Sequence, residues 1–110
     1  MATKAWDENG RTVHDPTPHD VDTMVTGLKA GNHFLIIERD DDHYVQVWRY
    51  PQGGYQLEYR DGGPTEHHRA FSGSSPGIVT AMTGRLTGAP AWRDPFTWDD
   101  ISHYFTGDGS

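Results

Sequence analysis

The chain contains no cysteine, so disulfide bonds and thiolate metal sites are excluded. It contains no apolar run that approaches the ~20 residues of a membrane-spanning helix. The N-terminal stretch MATKAWDENGRTVHD has no apolar segment of the kind found in secretory signals. These absences predict a cytoplasmic protein that does not bind a membrane.

Basic side chains are also few, and they are scattered along the chain. Nine Lys and Arg stand against sixteen Asp and Glu, which gives a formal net charge of −7. Proteins that bind nucleic acids need a basic surface that displaces counterions from the phosphates, so this composition argues against a nucleic-acid partner. An acidic surface instead favours solubility or a basic protein partner.

Apolar residues make up only 34% of the 110 positions, and the mean hydropathy is −0.78. A chain of this length forms one domain and buries roughly two-thirds of its unfolded surface, so most of its Val, Ile, Leu and aromatic side chains are expected inside. Thirteen Gly and seven Pro indicate many tight turns. We therefore predict a single domain over residues 1–110.

The middle of the chain, residues 33–71, predicts an antiparallel meander of about four strands. The strand segments read HFLIIERD, HYVQVWRY, GYQLEYRD and TEHHRAF, and clusters that favour turns separate them. The first segment is a near-continuous apolar run, which is typical of an inner or doubly covered strand. The fourth is polar on both faces and is predicted to be an edge strand.

One amphipathic helix is predicted before the meander. Thr17 is a suitable N-cap, Pro18 a first helical residue and Asp20 an acidic third residue, which together approximate a capping box. Gly31 is predicted to end the helix. Its apolar stripe, spaced i, i+3, i+4 and i+7, consists of Val21, Met24, Val25 and Leu28.

A second helix is predicted from Pro76 to about Thr87, with Ser75 as its N-cap and Gly88 at its end. Its stripe consists of Ile78, Ala81, Met82, Arg85 and Leu86. Both helices are expected to pack on one face of the sheet. The fold class is therefore α+β, with elements in the order α-β-β-β-β-α.

The two ends of the chain are less regular. Residues 1–16 predict either a small hairpin about Asn9-Gly10 or an ordered but irregular arm. Near the C-terminus, Thr97 begins a short helix in one interpretation, and 96–98 form a short strand in the other. Residues 106–110 are predicted to be a disordered tail.

The loop between the second and third strands decides which side chains share a face, because opposed residues lie on the same side of a sheet. A loop of two or four residues places Tyr44, Gln46, Trp48, Tyr50, Tyr55, Leu57 and Tyr59 on one face. It places Val45, Val47, Arg49, Gln56, Glu58 and Arg60 on the other. A loop of three or five residues would reverse this division. We expect the aromatic face to be the one that the helices cover.

The next turn, at residues 61–64, places Glu58 opposite His67 and Gln56 opposite Arg69 by the same argument. A Glu–His pair flanked by arginines can act as an acid/base couple or hold an anion, although a solvated cross-strand ladder is the plainer interpretation. Together with the acidic turn, the binding candidates are Asp40, Asp41, Asp42, Arg49, Glu58, Arg60, His67 and Arg69.

Two further kinds of site were considered. A ligand cavity on the aromatic face would be lined by Tyr44, Trp48, Tyr50, Tyr55 and Tyr59, although core packing is the plainer interpretation. The seven histidines show no spacing typical of metal ligands: His67 and His68, adjacent on a strand, point to opposite faces. No metal or other cofactor is predicted.

The order DPTPHDVDTMVTGL, then GYQLEYRDGGPTEHHRA, then a helix ending in Gly88 and tryptophans at 92 and 98 resembles small α+β proteins of actinobacteria. Some of these are uncharacterised, and others are similar to immunity proteins that neutralise a cognate bacterial toxin. The resemblance implies a small acidic binder with no chemistry of its own. Its fourth strand is richer in histidine than the resemblance leads one to expect.

We therefore expect a monomeric, non-enzymatic protein-binding module, with a basic toxin as the most concrete partner. The net charge of −7 agrees with such a partner, since many toxins of this kind are basic nucleases or deaminases. The alternative is a small-molecule binder or accessory enzyme of bacterial specialised metabolism. It would use the aromatic cavity, or Glu58 and His67 as catalytic residues.

Overall fold

The structure is a computed structural model that describes residues 3–106. Within this range, seven strands form one antiparallel sheet in the order β2-β1-β3-β4-β5-β6-β7. The strands are β1 (Lys4–Asp7), β2 (Thr12–His14), β3 (Phe34–Asp40), β4 (His43–Arg49), β5 (Tyr55–Asp61), β6 (His67–Ser72) and β7 (Asp99–Asp100), and the helices are α1 (Pro18–Thr26), α2 (Ser75–Thr87) and α3 (His103–Thr106). The α+β class is confirmed, but four strands and two helices were too few.

The N-terminal segment forms the hairpin β1–β2 about Asn9-Gly10, one of its two predicted forms. The carboxylate of Asp7 accepts hydrogen bonds from the backbone N–H groups of Asn9 and Arg11, at 3.1 and 3.0 Å. Gly10 has φ 84°, a conformation that glycine adopts without strain. The hairpin does not stand apart: β1 pairs with β3 and so widens the sheet.

The β4–β5 connection has five residues, and this reverses the predicted faces. Arg49 pairs with Tyr55 across the sheet, and the N–H of Tyr50 donates to the carbonyl of Gly54 at 3.0 Å. Gly53 and Gly54 both have positive φ, at 96° and 89°, which lets the chain turn within an odd number of residues. Leu57 and Tyr59 therefore share a face with Val45 and Val47, not with the aromatic residues of β4.

The β5–β6 pairing keeps the predicted faces but is displaced by two residues. Glu58 lies opposite Arg69, and Arg60 lies opposite His67. β6 is not an edge strand, because the two residues of β7 pair with its His68 and Arg69.

The first helix begins as predicted and ends earlier. Thr17 and Asp20 form the capping box: the Thr17 side chain accepts from the Asp20 N–H at 3.2 Å, and the Asp20 carboxylate accepts from the Thr17 N–H at 2.9 Å. The helix ends at Thr26 with Gly27 as C-cap, not at Gly31. Glycine costs a helix about 1 kcal/mol relative to alanine, and Leu28 still buries its side chain after the chain has left the helix.

The second helix agrees with its prediction to within one residue. Ser74, not Ser75, is the N-cap, and its hydroxyl accepts from the N–H of Gly77 at 3.0 Å. Gly88 ends the helix in the left-handed conformation, with φ 78°.

One face of the sheet, which we call the covered face, packs against α1 and α2. The predicted stripes of both helices supply the helical half of this core, so the two-layer arrangement is confirmed. The strands contribute Ala5, Leu35, Ile37, Val45, Val47, Leu57 and Tyr59, and the helices contribute Val21, Met24, Val25, Ile78, Ala81 and Met82. β3 lies between β1 and β4 and is an inner strand, the first of its two predicted forms. Helices cover only one of its faces, so it is not doubly covered.

The segment after α2 combines both predicted alternatives at shifted positions. Its strand is Asp99–Asp100 instead of 96–98, and its helix starts at His103 instead of near Thr97. Thr106 is the last residue of α3, and the rest of the predicted disordered tail, 107–110, lies outside the described residues. None of the helices within 3–106 is long and apolar enough to cross a membrane.

Candidate functional site: the open face of the sheet

The second face of the sheet, which we call the open face, lies on the side opposite α1 and α2. Its members follow from the pairing register, since residues directly opposed across the strands point the same way. They are Lys4, Trp6, Thr12, His14, Phe34, Ile36, Glu38, Tyr44, Gln46, Trp48, Gln56, Glu58, Arg60, His67, Arg69, Phe71 and Asp99.

An apolar cluster, which we call the aromatic strip, lies on the β1–β3–β4 part of the open face. It consists of Trp6, Phe34, Ile36 and Trp48, all half-buried. The rings of Trp6 and Phe34 meet edge to face at 5.6 Å, and those of Phe34 and Trp48 stack at 5.8 Å. These side chains pack against one another and lie outside the core cluster of the covered face.

A chain of hydrogen bonds crosses the polar part of the open face. The hydroxyl of Tyr50 donates to Gln56 Oε1 at 2.7 Å, and Gln56 Nε2 donates to Glu58 Oε2 at 3.0 Å. The other oxygen of Glu58 lies 3.0 Å from His67 Nε2. The predicted Glu58–His67 pair is therefore in contact, but diagonally across two strands, since its members do not oppose each other.

The second nitrogen of His67 is also occupied. Arg60 Nε, which can only donate, lies 3.2 Å from Nδ1, so Nδ1 is an acceptor and the ring is the neutral tautomer that donates from Nε2 to Glu58. The ring of Phe105 covers the imidazole at 4.2 Å, and His67 is only 1% exposed. In this arrangement neither ring nitrogen is free to exchange a proton with a substrate.

The carboxylate of Glu58 is held in its ionised form. Burial raises its pKa, but the hydrogen bonds from His67 and Gln56, with the nearby charge of Arg69, outweigh burial and bring the pKa below its usual value. Glu58 thus acts here as an acceptor that fixes two neighbours.

Arg69 differs from Arg60 in having no close acidic partner among residues 3–106. Glu58 and Asp99 oppose it in the register, but Glu58 is bonded elsewhere and Arg69 Nε has no hydrogen-bond acceptor within the described part of the chain. Its guanidinium lies over the ring of Phe71, 5.4 Å from the centroid. Phe71 is 54% exposed, whereas Arg69 is half-buried and its Nε atom is fully buried.

The acidic turn lies at the end of the open face where β3 and β4 join. Asp40 accepts from the N–H of Asp42 at 2.9 Å and lies 2.8 Å from His43 Nδ1. The side-chain bond from His43 is the main reason that the pKa of Asp40 is lowered. Asp42 lies 3.5 Å from Arg60, which connects the turn to the polar network.

Two sequence-based assignments are wrong for one reason, the five-residue β4–β5 loop. Arg49 has the same orientation as Val45 and Val47, so it does not join the Glu58 group on the open face. The proposed cavity is divided by the sheet: Tyr44 and Trp48 lie on the open face, and Tyr55 and Tyr59 on the covered face.

Sequence reasoning missed half of the site. Trp6 was assigned only to the N-terminal hairpin or arm, and Phe34 and Ile36 were assigned to an inner or doubly covered strand. The segment FLII shows no alternation of apolar and polar residues, because both of its faces are apolar. The sequence therefore did not indicate which of these side chains point away from the core. Phe105 reaches His67 through a fold-back of the chain that no local pattern reveals.

One cleft, of about 350 Å³, borders the open face at Lys4, His14 and Glu38. Another, of about 270 Å³, lies between the end of the sheet and the C-terminal turn of α2, next to Arg39, His43 and Arg85. This is slightly below the usual size of a small-molecule site. No group of three or more His, Asp or Glu within residues 3–106 is arranged to hold a metal ion.

Comparison of the chain with protein-family models, with curated proteins and with solved structures found no match.

Proposed function

We propose that this protein is a small, acidic, non-enzymatic binding module that recognises another protein through the open face. Its most concrete form is an immunity protein that neutralises a cognate toxin. One observation carries the proposal: within residues 3–106 the aromatic strip lies on a part of the sheet that neither α1 nor α2 covers, whereas Phe105 of α3 lies over His67 at the β5–β6 end of the same face. The solvated face of an antiparallel sheet is ordinarily polar, and exposed apolar groups with a polar surround mark interaction sites.

The composition of the open face supports a protein partner. Trp, Tyr, Phe and Arg are enriched in protein interfaces and dominate their binding energy. The open face carries two Trp, two Phe, one Tyr and two Arg among its seventeen side chains. A large flat surface of this kind fits another protein better than it fits a small molecule.

The net charge supports a basic partner at long range. Three acidic residues, Glu38, Glu58 and Asp99, lie on the open face. Glu38 and Glu58 are bonded within the chain. Most of the sixteen acidic residues of the chain are therefore not members of this face. The negative electrostatic potential of an acidic protein speeds the approach of a basic protein, while the aromatic strip supplies the short-range contact.

The test is capture of a partner from extracts of the source organism, combined with expression of any toxin encoded by a neighbouring gene. The wild-type chain is expected to retain the partner and to restore growth. Combined Trp48→Ala and Phe34→Ala substitutions should weaken binding at least 30-fold, because each removes a potential hot spot of about 2 kcal/mol.

The matched control carries Thr80→Ala and Thr87→Ala, two exposed threonines of α2 on the other side of the molecule. It should bind as the wild type does. If the strip variant binds equally well, the open face is not the site. If no protein is captured and no neighbouring gene encodes a toxin, the immunity proposal fails.

The alternative, a small-molecule binder or accessory enzyme, has less support. Both nitrogens of His67 are engaged, and the proposed cavity residues lie on opposite sides of the sheet. Combined Glu58→Gln and His67→Ala substitutions test it directly. Unchanged ligand binding or activity in that variant would remove the pair from consideration.

A further inference from the structure

The last described segment of the chain, residues 99–106, folds back over the β5–β6 end of the open face. Its first part is firmly attached. The N–H of Ile101 donates to the carbonyl of His67 at 3.0 Å, and the hydroxyl of Ser102 accepts from the N–H of His67 at 3.1 Å. Ile101 and Ser102 are buried, at 5% and 9% exposure. Residues 99–102 therefore form an anchor along β6 that fixes where α3 begins.

α3 itself is held more weakly than this anchor. It is a single turn of four residues, and a helix this short is not stable by itself. Tyr104 is 65% exposed, and its ring packs on His103 of the same helix at 4.2 Å. The ring of Phe105 lies 4.2 Å from the imidazole of His67 and 5.0 Å from the guanidinium of Arg60. Within the described part of the chain, this one side chain therefore provides the main contact of α3 with the sheet.

The surface under Phe105 has its polar contacts satisfied without that ring. Nε2 of His67 lies 3.0 Å from Glu58, and Nδ1 accepts from Arg60 at 3.2 Å. Arg60 also lies 3.5 Å from Asp42. The side chain of Phe105 has no polar atom, so it only covers the imidazole and the guanidinium. Removal of the ring would therefore expose this surface without breaking a hydrogen bond of the network.

We propose that α3 is a displaceable cap, and that Phe105 occupies the place of an aromatic side chain of the protein partner. The proposal rests on the proposed function in one respect, namely that the partner binds the open face. With α3 in place, a partner can reach the aromatic strip but not the imidazole of His67. With α3 lifted, the contact surface continues from the strip over Tyr44 and Arg60 to β6.

The chemistry of the covered surface selects an aromatic side chain as the replacement. A carboxylate would lie close to the ionised Glu58, and an ammonium or guanidinium group would lie close to Arg60. A neutral ring avoids both repulsions. It also restores the contact with the imidazole and the cation–π contact with the guanidinium that Phe105 makes now. Aromatic side chains of this kind dominate the binding energy of many protein interfaces.

A cap of this kind competes with the partner. The partner's apparent dissociation constant equals its intrinsic value divided by the fraction of molecules in which α3 is lifted. A change that weakens the contact of Phe105 with the sheet raises that fraction. Such a change should therefore tighten the binding of the partner, although it removes an apolar side chain from the surface.

Native-state hydrogen exchange of the full chain tests whether α3 lifts without global unfolding. The N–H of Phe105 donates to the carbonyl of Ser102 at 2.9 Å, so its exchange reports the opening of α3. Its protection factor should be at least about 100-fold lower than that of Val47 in the middle of β4, and low concentrations of urea should not change it. Equal protection at the two positions would overturn the proposal, because α3 would then open only when the whole sheet unfolds.

An aromatic probe tests whether the vacated place accepts a ring from outside. Phe105→Ala should bind N-acetylphenylalanine amide saturably, with a dissociation constant on the order of millimolar, and the imidazole NMR signals of His67 should shift as the ring covers them. Tyr104→Ala is the matched control, because it removes from the same helix a ring that packs on His103. This control and the wild type should bind the probe at least about threefold more weakly.

Thermal unfolding of each variant separates an effect on the cap from an effect on folding, and the exchange experiment needs no substitution. An absence of probe-dependent shifts at His67 in Phe105→Ala would overturn the proposal, because the exposed surface would then not select a ring. Equal shifts in all three proteins would overturn it as well, because Phe105 would then cover nothing that the probe recognises.

The captured partner provides the third test. Phe105→Ala should bind it at least about threefold more tightly than the wild type does, and Tyr104→Ala should stay within about twofold. Weaker binding of Phe105→Ala would overturn the proposal, because Phe105 would then belong to the contact surface itself. If no partner is captured, the proposed function fails, and the exchange and probe experiments still decide whether α3 is a cap. If α3 is as protected as β4 while the strip variant loses its partner, the cap fails and the proposed function stands.

Discussion

The two faces of one sheet use hydrophobic residues in different ways. On β3, Leu35 and Ile37 point to the covered face and are 0% and 4% exposed, while Phe34 and Ile36 point to the open face and are half-buried. The four residues are consecutive and all apolar, so composition does not distinguish them. The position of the helices distinguishes them. A side chain that packs under α1 and α2 stabilises the fold, whereas one on the open face is available to a partner.

The largest expected effect comes from the matched pair of isoleucines on β3. Ile37→Ala should lower the free energy of unfolding by about 2–5 kcal/mol, because it opens a cavity in a packed core. Ile36→Ala removes the same atoms from the open face and should cost about 1 kcal/mol or less. Urea unfolding followed by tryptophan fluorescence measures both. Equal losses would mean that the open face is as much a part of the core as the covered face.

The next-largest expected effect tests whether residues 89–98, which follow α2, belong to the layer that packs on the covered face. A Cβ at Gly84 would lie 2.7 Å from Trp92 Cβ, and Trp92 in turn packs edge to face on Tyr59 at 5.2 Å. Gly84→Ala should therefore destabilise by about 1–3 kcal/mol despite the better helix propensity of alanine.

Gly77→Ala in the same helix is the control for this prediction, since its Cβ would meet the side chain of Ser74 at 3.2 Å and that of Ser72 at 3.9 Å. It should change the free energy of unfolding by less than about 1 kcal/mol. Equal stabilities of the two variants would show that the Trp92 segment yields freely and does not belong to the packed layer.

The smallest effect is a pH dependence that originates on the open face. The pKa of Glu58 in the folded state lies below its usual value of 4.5, so the unfolded chain takes up the proton first as the pH falls. Glu58 therefore adds stability above about pH 4.5 that is lost as the pH falls through its folded pKa. Glu58→Gln should lack this component.

The measurement is the difference in unfolding free energy between wild type and Glu58→Gln at several pH values. It should be constant near neutral pH and shrink below about pH 4.5. The other carboxylates cancel in this difference. Parallel pH profiles for the two proteins would show that the Glu58–His67 contact does not stabilise the fold.

Local chemistry made much of the fold predictable. The capping box of Thr17 and Asp20, the stripe from Val21 to Leu28 and the Gly88 stop all depend on residues close in sequence. The faces of β4 and β5 were not predictable to the same degree, because they depend on whether the loop holds an even or odd number of residues. The glycines at 53 and 54 permit both.

The candidate site was predictable only in its polar half. Glu58, Arg60, His67 and Arg69 share the open face as expected, since the turn before β6 has the predicted parity. The aromatic half of the site depends on the pairing of β1 with β3, which are separated in the sequence by β2 and α1. Pairing between segments so distant in sequence leaves no trace in either segment, and so Trp6 was not linked to Phe34.

The two edge strands of the sheet are short, and this limits how the sheet can pair with other chains. Within the described chain, β2 has three residues and β7 has two, so each border offers very few unpaired backbone N–H and C=O groups. An extra strand from another molecule would gain only a few hydrogen bonds there, and short edges are one way in which natural sheets resist fibrous growth. The molecule can therefore carry tryptophan and phenylalanine on the open face of its sheet without a long unpaired edge strand from which amyloid-like stacking could begin.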